Sequence, residues 1–126
     1  MKEKILIVED DKFLGEFLLK RLKEEGFEVF LATNGEEGFN LACEKRPELI
    51  ILDLILPEKN GYEVLEDLKR NPLTSNIPVL ILSNLGQKEE VEEALRKGAE
   101  DFLIKAYYSL DDITLRVRLH LKKSKK

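Results

Sequence analysis

Leu49-Ile50-Ile51-Leu52-Asp53 is the stretch on which the fold turns. Four apolar residues in a row, two of them β-branched, stand between the helix-breaking Pro47 and a turn at Pro57. They show no polar–apolar alternation, so this is a strand covered on both faces, inside a sheet with helices packed above and below. Asp53 then emerges at its carboxyl end, where open α/β sheets bind ligands.

Outward from this strand the chain alternates between strands and helices. On the N-terminal side, Ile5-Leu6-Ile7-Val8 is a second unbroken apolar run, and it ends in Glu9-Asp10-Asp11. Leu14, Phe17, Leu18 and Leu22 recur at helical spacing, with Asp11 as N-cap and Gly26 as left-handed stop. Phe27 to Ala32 alternates as a half-buried strand does, and Asn34 with Glu37 opens a helix that continues to Arg46-Pro47. On the C-terminal side, a turn at Leu56-Pro57-Glu58-Lys59-Asn60-Gly61 leads into a helix carrying Tyr62, Leu65 and Leu68, closed at Asn71-Pro72. Pro78 to Ser83 is a further apolar strand, followed by a helix patterned by Val91, Ala94 and Leu95 and closed by Gly98. Asp101 to Lys105 forms the last strand. Ser109 with Asp112 makes a capping box for a final helix whose inner face carries Ile113, Val117 and Leu121 and which ends near residue 122. Five strands each followed by a helix predict a three-layer, doubly wound (βα)5 domain with a parallel sheet, because parallel strands require crossovers. The first, third and fourth strands lack alternation and belong at its centre.

At 126 residues, the chain is expected to be one domain with no room for an output domain beside it. It is 43% hydrophobic and 37% charged, with a net charge of −4, a balance that argues against direct nucleic-acid binding. The clustered lysines, Lys122, Lys123, Lys125 and Lys126, read as a basic tail after the last helix. No apolar run approaches the ~20 residues of a membrane span, and the N-terminus lacks a signal-peptide core, so the expected location is the cytoplasm. Cys43 is the single cysteine and is expected to be buried in its helix.

The strand ends carry the chemistry. Glu9 and Asp10 follow the first strand, Asp53 the third, Ser83 the fourth and Lys105 the fifth, and a parallel sheet brings all of them to one edge. Carboxylates gathered there repel unless a cation or protons intervene, and Mg²⁺, a hard ion held by carboxylate oxygens, suits them. A carboxylate beside Mg²⁺, a hydroxyl and an ammonium is equipped to accept a phosphoryl group on its oxygen.

These segments, Ile5 to Asp11, Leu49 to Pro57 with Asn60-Gly61, Ser83, and Asp101 to Lys105, resemble the receiver domain of two-component response regulators over essentially the whole chain. The resemblance implies a flavodoxin-like sheet of order 2-1-3-4-5. It implies that Asp53 is the phosphoacceptor, Asp10 a direct Mg²⁺ ligand, Glu9 an acid acting through metal-bound water, and the Ile55 backbone carbonyl a further ligand. Ser83 corresponds to the hydroxyl that moves onto the phosphate, Lys105 to the cation that pairs with it, and Phe102 to the aromatic that turns inward on activation. The implied partners are a sensor histidine kinase or phosphotransfer protein and a downstream protein. A second copy is a further implied partner, bound through the face of the fourth helix, fifth strand and fifth helix, where Leu115, Leu119, Arg116 and Arg118 stand.

Some positions depart from the family pattern. Ala106 replaces the usual proline after Lys105, which predicts a trans peptide because a non-proline cis bond costs about 2.5–4 kcal/mol. Asn84 stands after Ser83 where a small residue is usual. Ile55 and Leu85 are apolar where many relatives place polar residues that orient water, which predicts slow self-dephosphorylation. A pseudo-receiver, a binding module that never carries phosphate, would have the altered Lys105-Ala106-Tyr107 region as its signature, but the complete acid set argues against it. A dehalogenase-type phosphatase would need an acid where Ile55 stands. His120 has no second ligand candidate near it in sequence, which speaks against a metal or phosphorelay role.

Overall fold

The computed structural model describes residues 2–124. Five strands, β1 (Lys4–Val8), β2 (Glu28–Ala32), β3 (Leu49–Leu52), β4 (Val79–Ser83) and β5 (Asp101–Ile104), alternate with helices α1 (Lys12–Glu24), α2 (Gly35–Lys45), α3 (Gly61–Arg70), α4 (Lys88–Arg96) and α5 (Leu110–Ser124). The sheet is parallel throughout, in the order β2-β1-β3-β4-β5. The three strands without alternation are the central ones, and every residue of β3 and β4 is buried.

Alternate side chains of β3 feed two separate cores. Ile50 and Leu52 pack with Val64, Leu65 and Leu68 of α3 on one face. Leu49 and Ile51 pack with Leu18 and Leu22 of α1 and Ile113 and Val117 of α5 on the other. This is the three-layer arrangement that an unbroken apolar strand requires.

The helix boundaries follow local chemistry. Asp11, Asn34 and Asn60 cap α1, α2 and α3 through their side-chain oxygens, and Ser109 and Asp112 exchange the two hydrogen bonds of a capping box ahead of α5. Gly26 and Gly98, at φ 98° and 108°, take the left-handed conformation that a side chain would oppose. Arg46 closes α2 at φ 46°, because Pro47 disfavours the right-handed region for the residue before it.

Several boundaries and side chains differ from the sequence expectation: β2 and β4 begin one residue late, at Glu28 and Val79, and Phe17 of the apolar repeat in α1 is exposed. α5 runs to Ser124 rather than ending near 122, since Lys122 and Lys123 suit the negative end of the helix dipole and continue the helix; Lys125 and Lys126 lie outside the described residues. β5 stops at Ile104, and Lys105 opens a short 3-10 turn, Lys105–Tyr107, whose Lys105–Ala106 peptide is trans as expected. Cys43 is half-buried rather than buried, with the Asn71 amide 3.8 Å from its sulfur. Leu95 is 47% exposed, leaving Ala94 as the one buried residue of α4.

Candidate functional site

The parallel register sets the strand exits side by side. Val8 lies beside Leu52, and Leu52 beside Ile81. Backbone pairing continues one step beyond β3, where Asp53 N–H donates to the Val8 carbonyl at 3.0 Å, and Glu9 N–H is held by the Ala32 carbonyl at 2.9 Å. Glu9 and Asp53 are therefore fixed next to one another at the centre of the carboxyl edge, both almost fully buried, at 2% and 4% exposure.

Gly61 explains the Asn60-Gly61 pair after β3. Its N–H donates to the Leu54 carbonyl at 2.8 Å, and a Cβ added there would lie 2.3 Å from the Asp53 carbonyl oxygen. Only a glycine lets α3 begin against the backbone of Asp53. Asn60 caps the same turn, accepting from Glu63 N–H at 3.1 Å.

The acids converge. Glu9, Asp10 and Asp53 each offer an oxygen within 4.8 Å of the others. Asp10 is exposed at the mouth, while Glu9 also accepts from Asp11 N–H at 3.0 Å, which ties it to the start of α1. Lys105 spans the pair behind them: its Nζ lies 2.8 Å from Glu9 Oε1 and 2.8 Å from Asp53 Oδ2. Asp53 Oδ1 accepts from Ile55 N–H at 3.2 Å, and the Ile55 side chain stands 53% exposed beside it. Ser83 is fully buried at the end of β4, its Oγ accepting from Leu85 N–H at 3.3 Å. Phe102 sits apart from the acids, half-buried against the core on the α3 side with Tyr62 and Leu85.

Burial raises the Glu9 carboxyl to about 7; hydrogen bonds from Lys105 and Asp11 N–H oppose the rise, and the charge of Asp53 adds to it. For Lys105, burial favours the neutral amine, but the hydrogen bonds to Asp53 and Glu9 outweigh it and hold the ammonium above its ordinary range. One ammonium, shared by Glu9 and Asp53, thus faces three clustered acids, leaving a net negative notch of oxygen donors. That is the donor set a hard divalent cation such as Mg²⁺ takes.

Sequence reasoning missed two side-chain arrangements. It did not anticipate that Lys105 would bridge Glu9 as well as Asp53. It also found no neighbour for His120, whose Nε2 lies 2.9 Å from Asp101 Oδ2, beside the Arg116 guanidinium at 2.5 Å from the same oxygen. Burial raises the Asp101 carboxyl, and the hydrogen bonds from His120, Arg116 and Phe102 N–H reverse this and hold it below the usual carboxylate range. The spacing of His120 and Arg116, four apart on α5 and both facing the start of β5, was the one available signal.

A parallel doubly wound domain with an acid notch bridged by a lysine at its carboxyl edge is a recognisable class. The family described as the response regulator receiver domain matches residues 5–118. The transcriptional regulatory protein CusR of Escherichia coli (strain K12) is 41% identical over 120 residues, 95% of this chain and 52% of the relative. The DNA-binding dual master transcriptional regulator RpaA of Synechocystis sp. is 36% identical over 121 residues, 96% of this chain and 50% of the relative. The chain thus spans about half the length of the curated relatives it matches. Among solved structures, the receiver domain of the Francisella response regulator 1452 superposes with a TM-score of 0.89 at 30% identity, covering 98% of this chain and 99% of that one. The chain belongs to the response regulator receiver domain family, and it is a receiver domain of the two-component kind.

Proposed function

We propose that Asp53 accepts a phosphoryl group from a phosphohistidine on a sensor histidine kinase or phosphotransfer protein, and that Mg²⁺ assists. The observation that carries this reading is the Lys105 ammonium fixed at 2.8 Å from both Glu9 and Asp53 at the sheet edge. In the transfer, an Asp53 oxygen forms the new O–P bond as the N–P bond to the donor imidazole breaks, and the imidazole keeps the electron pair. Asp53 is positioned for this by its backbone bond to Val8, while Lys105 neutralises charge on the transferring oxygens and Ser83 supplies a hydroxyl donor. Glu9, Asp10, Asp53 and the Ile55 carbonyl would hold Mg²⁺, which when bound supplies further neutralisation of that charge. Phosphorylation then shifts Ser83 and Phe102 and alters the face of α4, β5 and α5, through which a downstream protein or a second copy binds.

The domain acts as a phosphoacceptor that assists its own phosphorylation and dephosphorylation. No helix among the described residues is long and apolar enough to cross a membrane, which is compatible with action in the cytoplasm. The test is intact mass after incubation with a small phosphodonor and Mg²⁺. Wild type is expected to gain one phosphoryl group and Asp53→Asn none; equal labelling of both, or of neither, overturns the assignment.

A further inference from the structure

α4 is the least anchored helix of the domain by its own apolar contacts. Ala94 is its one buried residue, Leu95 is 47% exposed, and Lys88, Glu89, Glu92 and Arg96 all face solvent. Val91 is half-buried beside it, and one alanine with part of one valine, packed towards β5, contributes little, so polar contacts add to the hold on this helix.

Two polar contacts do so, and both come from α3. Near the start of α4, the Tyr62 hydroxyl donates to the Glu90 carbonyl at 3.1 Å. Beyond its end, Lys97 Nζ donates to Glu66 Oε2 at 3.0 Å, with both side chains about one-third exposed or less. The Tyr62 ring is half-buried against the core, and burial, with Glu93 and Glu90 nearby, raises its phenol above the usual range and keeps it a donor. Its backbone is equally fixed, because the preceding Gly61 is pressed against the Asp53 carbonyl.

We propose that Tyr62 is a positioning residue: with the Glu66–Lys97 pair it forms a two-point latch that docks α4, and it ties the first turn of that helix to the backbone segment carrying Asp53. α4 follows directly on the segment after Ser83, so one end of the latch sits on each of the two strand exits that flank the notch. The latch exists in the unphosphorylated chain and does not depend on phosphoryl transfer to Asp53.

Amide hydrogen exchange on the full chain, without phosphodonor, tests this. Tyr62→Phe keeps the ring and deletes the hydroxyl, and is expected to speed exchange at residues 91–95 about fivefold, the worth of one ordinary hydrogen bond. Lys97→Met is expected to speed the same amides about threefold, as befits a partly exposed ion pair, and the two factors should multiply in the double variant. β1, β3 and β4 should exchange as in wild type. Unchanged rates at 91–95 in both single variants, or equal acceleration across the three central strands, overturns the latch, the second because it would mark uniform destabilisation.

Discussion

Glu9 bears the electrostatic cost of the site. Its carboxyl, raised to about 7 by burial, binds a proton more tightly in the fold than in the unfolded chain, where 4.5 is usual. The sign follows by linkage: the contribution of Glu9 to stability is fully present below about pH 4.5 and is lost as pH rises through about 7, where the metal-free fold must hold a buried, ionised acid. Lys105 retains Asp53 as a partner when Glu9 is neutralised, so no cation is orphaned. Glu9→Gln is therefore expected to stabilise the metal-free protein by about 1–3 kcal/mol at pH 8 and to change it little at pH 5. Urea unfolding in the presence of a chelator at the two pH values checks it, and an equal difference at both would contradict the burial argument. Ile55 bears on the lifetime of the phosphoryl group rather than on its arrival. With an exposed apolar side chain beside Asp53 and apolar Leu85 after Ser83, neither position offers an attacking water a hydrogen bond. An Ile55→Asn, Leu85→Glu variant is expected to lose its phosphoryl group about fivefold faster, one water-orienting hydrogen bond's worth. A decay no faster than wild type would show that these neighbours do not set the rate.

At the scale of elements, α3 meets the exit of β3 at the glycine where an added Cβ would lie nearer to other atoms than at any other glycine of the domain. A methyl group at Gly61 would meet the Asp53 carbonyl oxygen at 2.3 Å and Leu54 Cα at 2.4 Å, both backbone atoms that cannot swing aside. At Gly26 a methyl group would meet nothing within 4 Å, and only the φ of 98° opposes it. Gly26→Ala is thus expected to cost about 1 kcal/mol and leave phosphorylation of Asp53 intact. Gly61→Ala is expected to cost about 1–3 kcal/mol and to slow phosphorylation as well, because the Asp53 peptide must shift. Urea midpoints and labelling rates for the two variants separate the cases; equal labelling in both would mean that the α3 contact does not position Asp53. This contrast also marks what was legible in the sequence. The unbroken apolar runs gave the central strands, and Asp11, Asn34 and Ser109 gave the helix starts, because strand burial and capping are written in neighbouring residues. The acids at the strand ends were legible because a parallel sheet puts every such end on one edge. The second bond of Lys105 to Glu9, the Asp101–His120 pair and the polar attachment of α4 were not, since each joins side chains whose meeting depends on helix docking rather than on local pattern.

For the whole molecule, the question is which surface is left for a partner once internal pairs are made. Arg116 is engaged by Asp101, and Arg118 pairs with Glu25 and lies 5.0 Å over the Phe27 ring, so the two arginines expected to flank a contact serve first to dock α5 on the body. Arg21 with Asp111 adds a further tie between α1 and α5. Among the exposed residues of α5, otherwise charged (Asp111, Asp112, Arg118, Lys122, Lys123), two are apolar: Leu115 and Leu119, one turn apart, at 66% and 51% exposure. A pair of leucines on an otherwise charged helix suits burial against a second copy, and burying both contributes several kcal/mol to association. Exposed side chains with no partner in the fold tolerate charge, so Leu115→Glu, Leu119→Glu is expected to alter folding stability by less than about 0.5 kcal/mol. The same variant should weaken self-association of the beryllofluoride-loaded protein at least about tenfold, since 1.4 kcal/mol per decade is a modest fraction of what two leucines bury. Sedimentation equilibrium on both proteins, with and without beryllofluoride, reads this directly. A wild type that stays monomeric when loaded, or a variant that associates as tightly, would move the contact surface away from α5.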